Sequence, residues 1–174
     1  SGELGHGSRE SAGRAAPCEG GSLQGIAVRG ASCGHSTSAA VDVTGALHVW
    51  GRLWGAGGAG SSTTVPMVVP MAPMVRSVGG VELCVLQISC SARRMLLLCV
   101  RGEAAEERQL LLAPHAPPPK QATQALSAIE RFAEAPDTFV FECAFGAPPA
   151  LIRCLEGLRV ESVQASFDAA LVAT

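Results

Sequence analysis

The chain has 174 residues, 48% of them apolar and 16% charged, with a formal net charge of −2. That composition can bury a core and argues against wholesale disorder. Lys120 is the only lysine, so the basic stripe of a nucleic-acid groove is missing, and apolar runs such as 95–100 are far too short to span a membrane.

In chain order, Ser1–Gly7 is polar and glycine-rich, unlike a signal peptide. The start at Ser1 rather than Met, and the end at Thr174 inside an apolar run, are what a segment of a longer chain would show. Ser38–Val43 and Ala46–Trp50 read as two apolar strands, with Thr44-Gly45 at the tight turn between them. Strands apolar on both sides belong in a sheet covered on both faces. A glycine-rich stretch, 55–62, comes next, and then Val65–Val69, whose Pro66 suits an edge strand or the loop leading into one. With aromatics at 4% and no Tyr, the core must be built from Val, Leu, Ile, Ala and Met.

The pattern then repeats. Ser32-Cys33-Gly34 is echoed by Ser89-Cys90-Ser91, 57 residues later, and the same offset aligns Ile26 with Leu83, Val41 with Leu98, Val43 with Val100 and Gly45 with Gly102. A third copy starts near Leu158, with Val160, Val163, Gln164 and Ala165, at an offset of 75 from the second. Units of about 50 to 60 residues made of short antiparallel strands predict propeller blades. The fold class expected is all-β: a partial β-propeller with a helical, proline-rich insertion.

These residues resemble the repeats of the regulator of chromosome condensation family. Gly2-Glu3-Leu4-Gly5-His6-Gly7 is similar to the tail of one repeat, and Pro17, Leu23 and Ile26 lead into the next. Ser32-Cys33-Gly34-His35-Ser36 resembles the family turn, Gly45 its hairpin glycine and Val49-Trp50-Gly51 its strand end. Gly55-Ala56-Gly57-Gly58 stands where the family has Gly-x-Leu-Gly, with Gly57 in place of the leucine. In the following unit Ser91–Arg94 lacks the His-Ser pair, and no Trp-Gly follows Gly102. On this resemblance residues 1–22 are a repeat tail and link, 23–74 a full repeat, 75–157 a divergent repeat interrupted at 103–136, and 158–174 the start of another. The resemblance implies a seven-bladed propeller, of which this chain supplies about three blades or blade parts. Such a slice leaves apolar edges for further sequence or a partner to cover.

Within the insertion, Glu103–Arg108 favours helix, and Pro114 and Pro117–Pro119 break the chain. Leu126, Ile129 and Phe132 then recur at helical spacing until Pro136. That helix either caps the blade or docks a partner. Asp137–Phe145 alternates Phe139, Phe141 and Cys143 and reads as a returning strand in place of the missing Trp-Gly strand.

Candidate sites are few. The glycine-rich stretch invites a phosphate-loop reading, but it lacks Gly-Lys-Ser/Thr, and Pro66, Pro70 and Pro73 argue against a helix behind it. His35, Ser36 and Asp42 contain the residue types of a hydrolytic triad, yet they lie within one hairpin, where His35 is expected to fix the loop. The seven cysteines form no CxxC pair, so buried free thiols of a reducing, intracellular compartment are expected rather than a zinc site or a disulfide framework. Arg93 and Arg94, with Arg101 near them in sequence, are the one basic cluster and a candidate contact for an acidic partner. Trp50 and Trp54 are expected in blade packing, with Trp54 a possible partner contact at an exposed face. No catalytic, cofactor-binding or metal-binding residue is expected.

Two function classes follow. The first is a non-enzymatic protein-interaction module that presents blade loops to a partner protein. The second, implied by the resemblance alone, is guanine-nucleotide exchange on a small GTPase such as Ran, by differential binding without covalent chemistry. No exchange motif can be matched to residues here.

Overall fold

The computed structural model describes residues 2–18, 20–52, 62–101, 138–144, 149–166 and 169–174. Ten strands make three antiparallel sheets. The first holds β1 (Val28–Cys33), β2 (Thr37–Asp42), β3 (Leu47–Arg52) and β4 (Ser62–Val68) in that spatial order. A short helix, α1 (Ala72–Ser77), leads to the second sheet: β5 (Leu83–Cys90), β6 (Arg94–Arg101), β7 (Thr138–Ala144) and β8 (Ala150–Leu151). The third sheet pairs β9 (Ser162–Ala165) with β10 (Ala170–Ala173). The architecture is that of a partial β-propeller: two four-stranded blades and a two-stranded third, stacked through their first strands. β5 packs on β1 and β2, and β9 packs on β5 and β6.

Side-chain alternation directs this stacking. On the second blade Met95, Leu97, Cys99, Phe141 and Cys143 join Ala39, Val41, Leu47 and Val49 of the first. The intervening Leu96, Leu98 and Val140 point the other way, onto Val160 and Val163 of the third. β6 is therefore apolar and buried along nearly its whole length, because a blade with a neighbour on each side has no solvent face. Transfer from water of each such aliphatic side chain is worth about 1.5–3 kcal/mol.

The third strand of the second blade is β7, the returning strand expected from the Phe–Phe–Cys alternation. Residues 102–137 connect it to β6, so the helix expected over 120–134 lies outside the described residues, as does the glycine-rich stretch up to residue 61. β4 is the edge of its sheet, and Pro66 falls where the β3–β4 register shifts, a place that needs no ladder N–H. The prolines do not exclude a helix, however: α1 carries Pro73 in its first turn, where a missing N–H costs nothing. A strand, not a helix, still follows the glycine-rich stretch directly.

The two complete blades share an irregularity. β1 shifts register between Val28 and Gly30, leaving Arg29 as the extra residue, and β5 does so between Val85 and Gln87, leaving Leu86. Arg29 and Leu86 stand at the repeat offset, so the bulge belongs to the blade design. Arg29 uses it to reach across, donating from Nη2 to the carbonyls of Val85 (2.6 Å) and Leu86 (2.9 Å).

Candidate functional site

The turns at one end of the blades form the best-defined surface. Between β1 and β2 the turn closes through backbone alone, with Gly34 N–H donating to Thr37 O at 2.8 Å. His35 lies exposed on its tip, so the loop-fixing role expected of His35 falls to the main chain. Between β5 and β6 the same backbone bond, Ser91 N–H to Arg94 O at 2.8 Å, is joined by the serine side chain: Ser91 Oγ accepts from Arg94 N at 3.2 Å and donates to Arg94 O at 3.0 Å. The β9–β10 turn repeats this geometry with Ser166 and Ala169, at 3.1 Å for both bonds. Ser91 and Ser166 stand at the offset of 75, a signal in the sequence that the motif reading did not use.

The first two turns touch. A Cβ built on Gly34 would lie 2.3 Å from Ser91 O, so only glycine permits this approach. The end of β3 joins the same surface through Arg52 N–H, which donates to Ser36 O at 2.7 Å. Arg9, on the N-terminal segment, donates to Ser62 Oγ at 2.9 Å, and Ser62 pairs with Arg52 across β4 and β3. Arg93 is exposed at the tip of its turn. Arg94 is half-buried and pairs with Glu142 of β7 at 3.1 Å, which anchors its guanidinium beside the turn. Arg101 does not belong with them: it ends β6 on the far side of the blade, about 23 Å along the strand by its rise per residue. Trp54 lies outside the described residues, whereas Trp50 is buried in blade packing as expected.

On the first blade, the face turned away from the second is covered by the N-terminal chain. Glu3 O accepts from both Ser38 Oγ (2.8 Å) and Trp50 Nε1 (2.7 Å). Deeper on the same face Asp42 accepts from His48 Nε2 at 3.0 Å, and His48 Nδ1 meets Ser22 Oγ at 2.7 Å. A carboxylate only accepts, so Nε2 carries a proton, and in the neutral ring Nδ1 accepts from the Ser22 hydroxyl. This is a Ser–His–Asp line, but not the one that sequence proximity suggested. His48 is 2% exposed, and the cavities lined by the N-terminal segment include none of the three residues. The line ties the 3-10 turn Gly21–Leu23 to β3.

Burial raises the Asp42 pKa, yet hydrogen bonds from Thr44, His48 and the Ala46 amide outweigh it and hold the carboxyl below its usual value. Burial pushes the Cys90 and Cys143 thiols up to about 12 and raises Cys84 and Cys99 as well, so these four are core groups. Cys33 and Cys154 are exposed, against the expectation of general burial, and all seven cysteines are free. Among the described residues no group of three His, Cys, Asp or Glu side chains could hold a metal ion, and no helix is long and apolar enough to cross a membrane.

Fold and surface together define a class, a bladed all-β repeat structure with hydrogen-bonded turns in a row at one end. Within that class the chain is similar to the crystal structure of human WBSCR16, a propeller-like protein, with a TM-score of 0.53 at 15% identity. The match covers 86% of this chain and 32% of WBSCR16, so the chain spans about a third of that protein's length. No family model matches the sequence, and no curated protein does.

Proposed function

We propose that this chain is part of a propeller-type interaction module, related to the regulator of chromosome condensation repeats, that binds a partner protein through the turns between the first and second strands of its blades. The observation that carries the reading is the contact of Gly34 with Ser91, which fuses two turns into one rigid surface. Surfaces held by a stiff scaffold bind with little ordering cost. The buried thiols suit a reducing, intracellular setting. Nothing in the described geometry favours nucleotide exchange over simple binding.

Site-specific photo-crosslinking tests the proposal. A photoreactive residue at Ala92, on the turn tip, is expected to capture a cellular protein that the same residue at Val43, at the opposite end of the blade, does not. Capture from Val43 alone would move the binding surface elsewhere. If a partner is a small GTPase, GDP release measured with the chain present separates exchange from scaffolding.

A further inference from the structure

We infer that the turn surface recognises an acidic peptide segment of its partner, an inference that rests on the interaction reading above. Arginines gather there on a chain of net charge −2, among the carboxylates of Glu3, which acts on His35 of the first turn, and Glu10, which lines one cavity with Arg9. Arg52 and Arg93 are exposed there, and Arg9 lies against Ser62 at its margin. The Arg94–Glu142 pair sets the orientation of one more guanidinium at the same end of the second blade. Arginine presents a planar fork of donors that fits carboxylates two bonds at a time.

The distribution of exposed apolar residues argues the same way. Val43, Met67 and Val68 lie toward the opposite end of the first blade, where β2 ends and β4 finishes against His48. Ile26 and Val28 likewise stand where β1 begins, away from its turn. The turns of the first two blades thus offer arginine and hydroxyl groups, with Leu4 of the N-terminal segment and Leu171 of β10 as exposed apolar side chains outside that pattern, and recognition at those two turns runs through charge and hydrogen bonds. A nucleic acid is the less suited anion. The patch spans two blades, is interrupted by Glu142, and sits on a chain with one lysine.

The test measures fluorescence anisotropy of a labelled decaglutamate peptide titrated with the whole chain, beside decalysine and a single-stranded DNA oligonucleotide. The expected result is binding of decaglutamate alone, weakening when salt rises from about 50 to about 200 mM. Arg93→Glu and Arg52→Glu should each weaken it about fivefold or more, while Arg101→Glu at the far end leaves it unchanged. Near-UV circular dichroism confirms that each variant keeps the native fold. No decaglutamate binding, equal binding by the charge-reversed variants, or tighter binding of the DNA would overturn the inference. Ala92 crosslinking that persists in Arg93→Glu would then leave the interaction reading standing without its acidic partner. Loss of Ala92 crosslinking in the wild-type chain would remove the interaction reading itself.

Discussion

Gly45 holds φ at +84°, and a Cβ there would fall 1.8 Å from Cys84 Sγ. Gly45→Ala therefore meets both a left-handed backbone and the start of the next blade, and urea unfolding should show a loss of about 2 kcal/mol or more. Its neighbour Asp42 has a different signature. A carboxyl whose folded pKa is depressed contributes stability above its unfolded value of about 4, and that stability is lost as pH falls through the folded value. The stability advantage of the wild type over Asp42→Asn should thus shrink on acidification from about pH 5 to about pH 2, as read from denaturant midpoints at each pH. A constant gap would mean that Asp42 acts through shape alone. For the thiols, Ellman's reagent on the native chain should modify Cys33 and Cys154 first and half-buried Cys18 more slowly, leaving the rest until denaturant is added.

Successive blades are tied by a recurring side-chain bond. Ser32 Oγ accepts from Cys90 N at 2.9 Å, and Ser89 Oγ accepts from Ala165 N at 2.9 Å. Each serine on a first strand thus satisfies a backbone N–H on the first strand of the next blade. Ser32→Ala should cost about 1 kcal/mol and speed hydrogen exchange at the Cys90 amide while sparing the Ala165 amide. The Ser-Cys echo was legible in the sequence, as were the β2–β3 hairpin, β7 and the pairing of repeats, because alternation and turn chemistry act locally. The bulges at Arg29 and Leu86 were not. Each copy carries the same extra residue, so the offset of 57 passes over both without a break. The Ser22–His48–Asp42 line was also out of reach. It forms only when an irregular leader folds back on β3, and no periodicity announces that. The arginine pair was visible as composition, but the anchoring of Arg94 depends on Glu142 of a strand 48 residues away.

Among the described residues, the first and second blades have four strands each and the third has two. Its outer strand β10 carries Leu171 at 67% exposure, with no charged residue or proline on the strand to discourage pairing. Strand edges of this kind recruit other strands. Leu171→Lys should therefore lower light scattering as the chain is concentrated and leave its circular dichroism intact. Scattering that does not change would show that β10 is not the adhesive edge.

The long connection between β6 and β7 also has a kinetic meaning. In the first blade the second and third strands are separated by the four-residue turn 43–46, whereas in the second they are separated by residues 102–137. A separation about nine times longer in sequence brings β7 to its blade later in synthesis than the third strand of the first blade. The first blade and the β5–β6 hairpin can assemble as their residues emerge from the ribosome. β7 arrives late, to a vacancy already walled by Leu97 and the side chains of the first blade. Until then β6 is an open apolar edge, and this is the interval in the chain's synthesis when its strand face is most exposed.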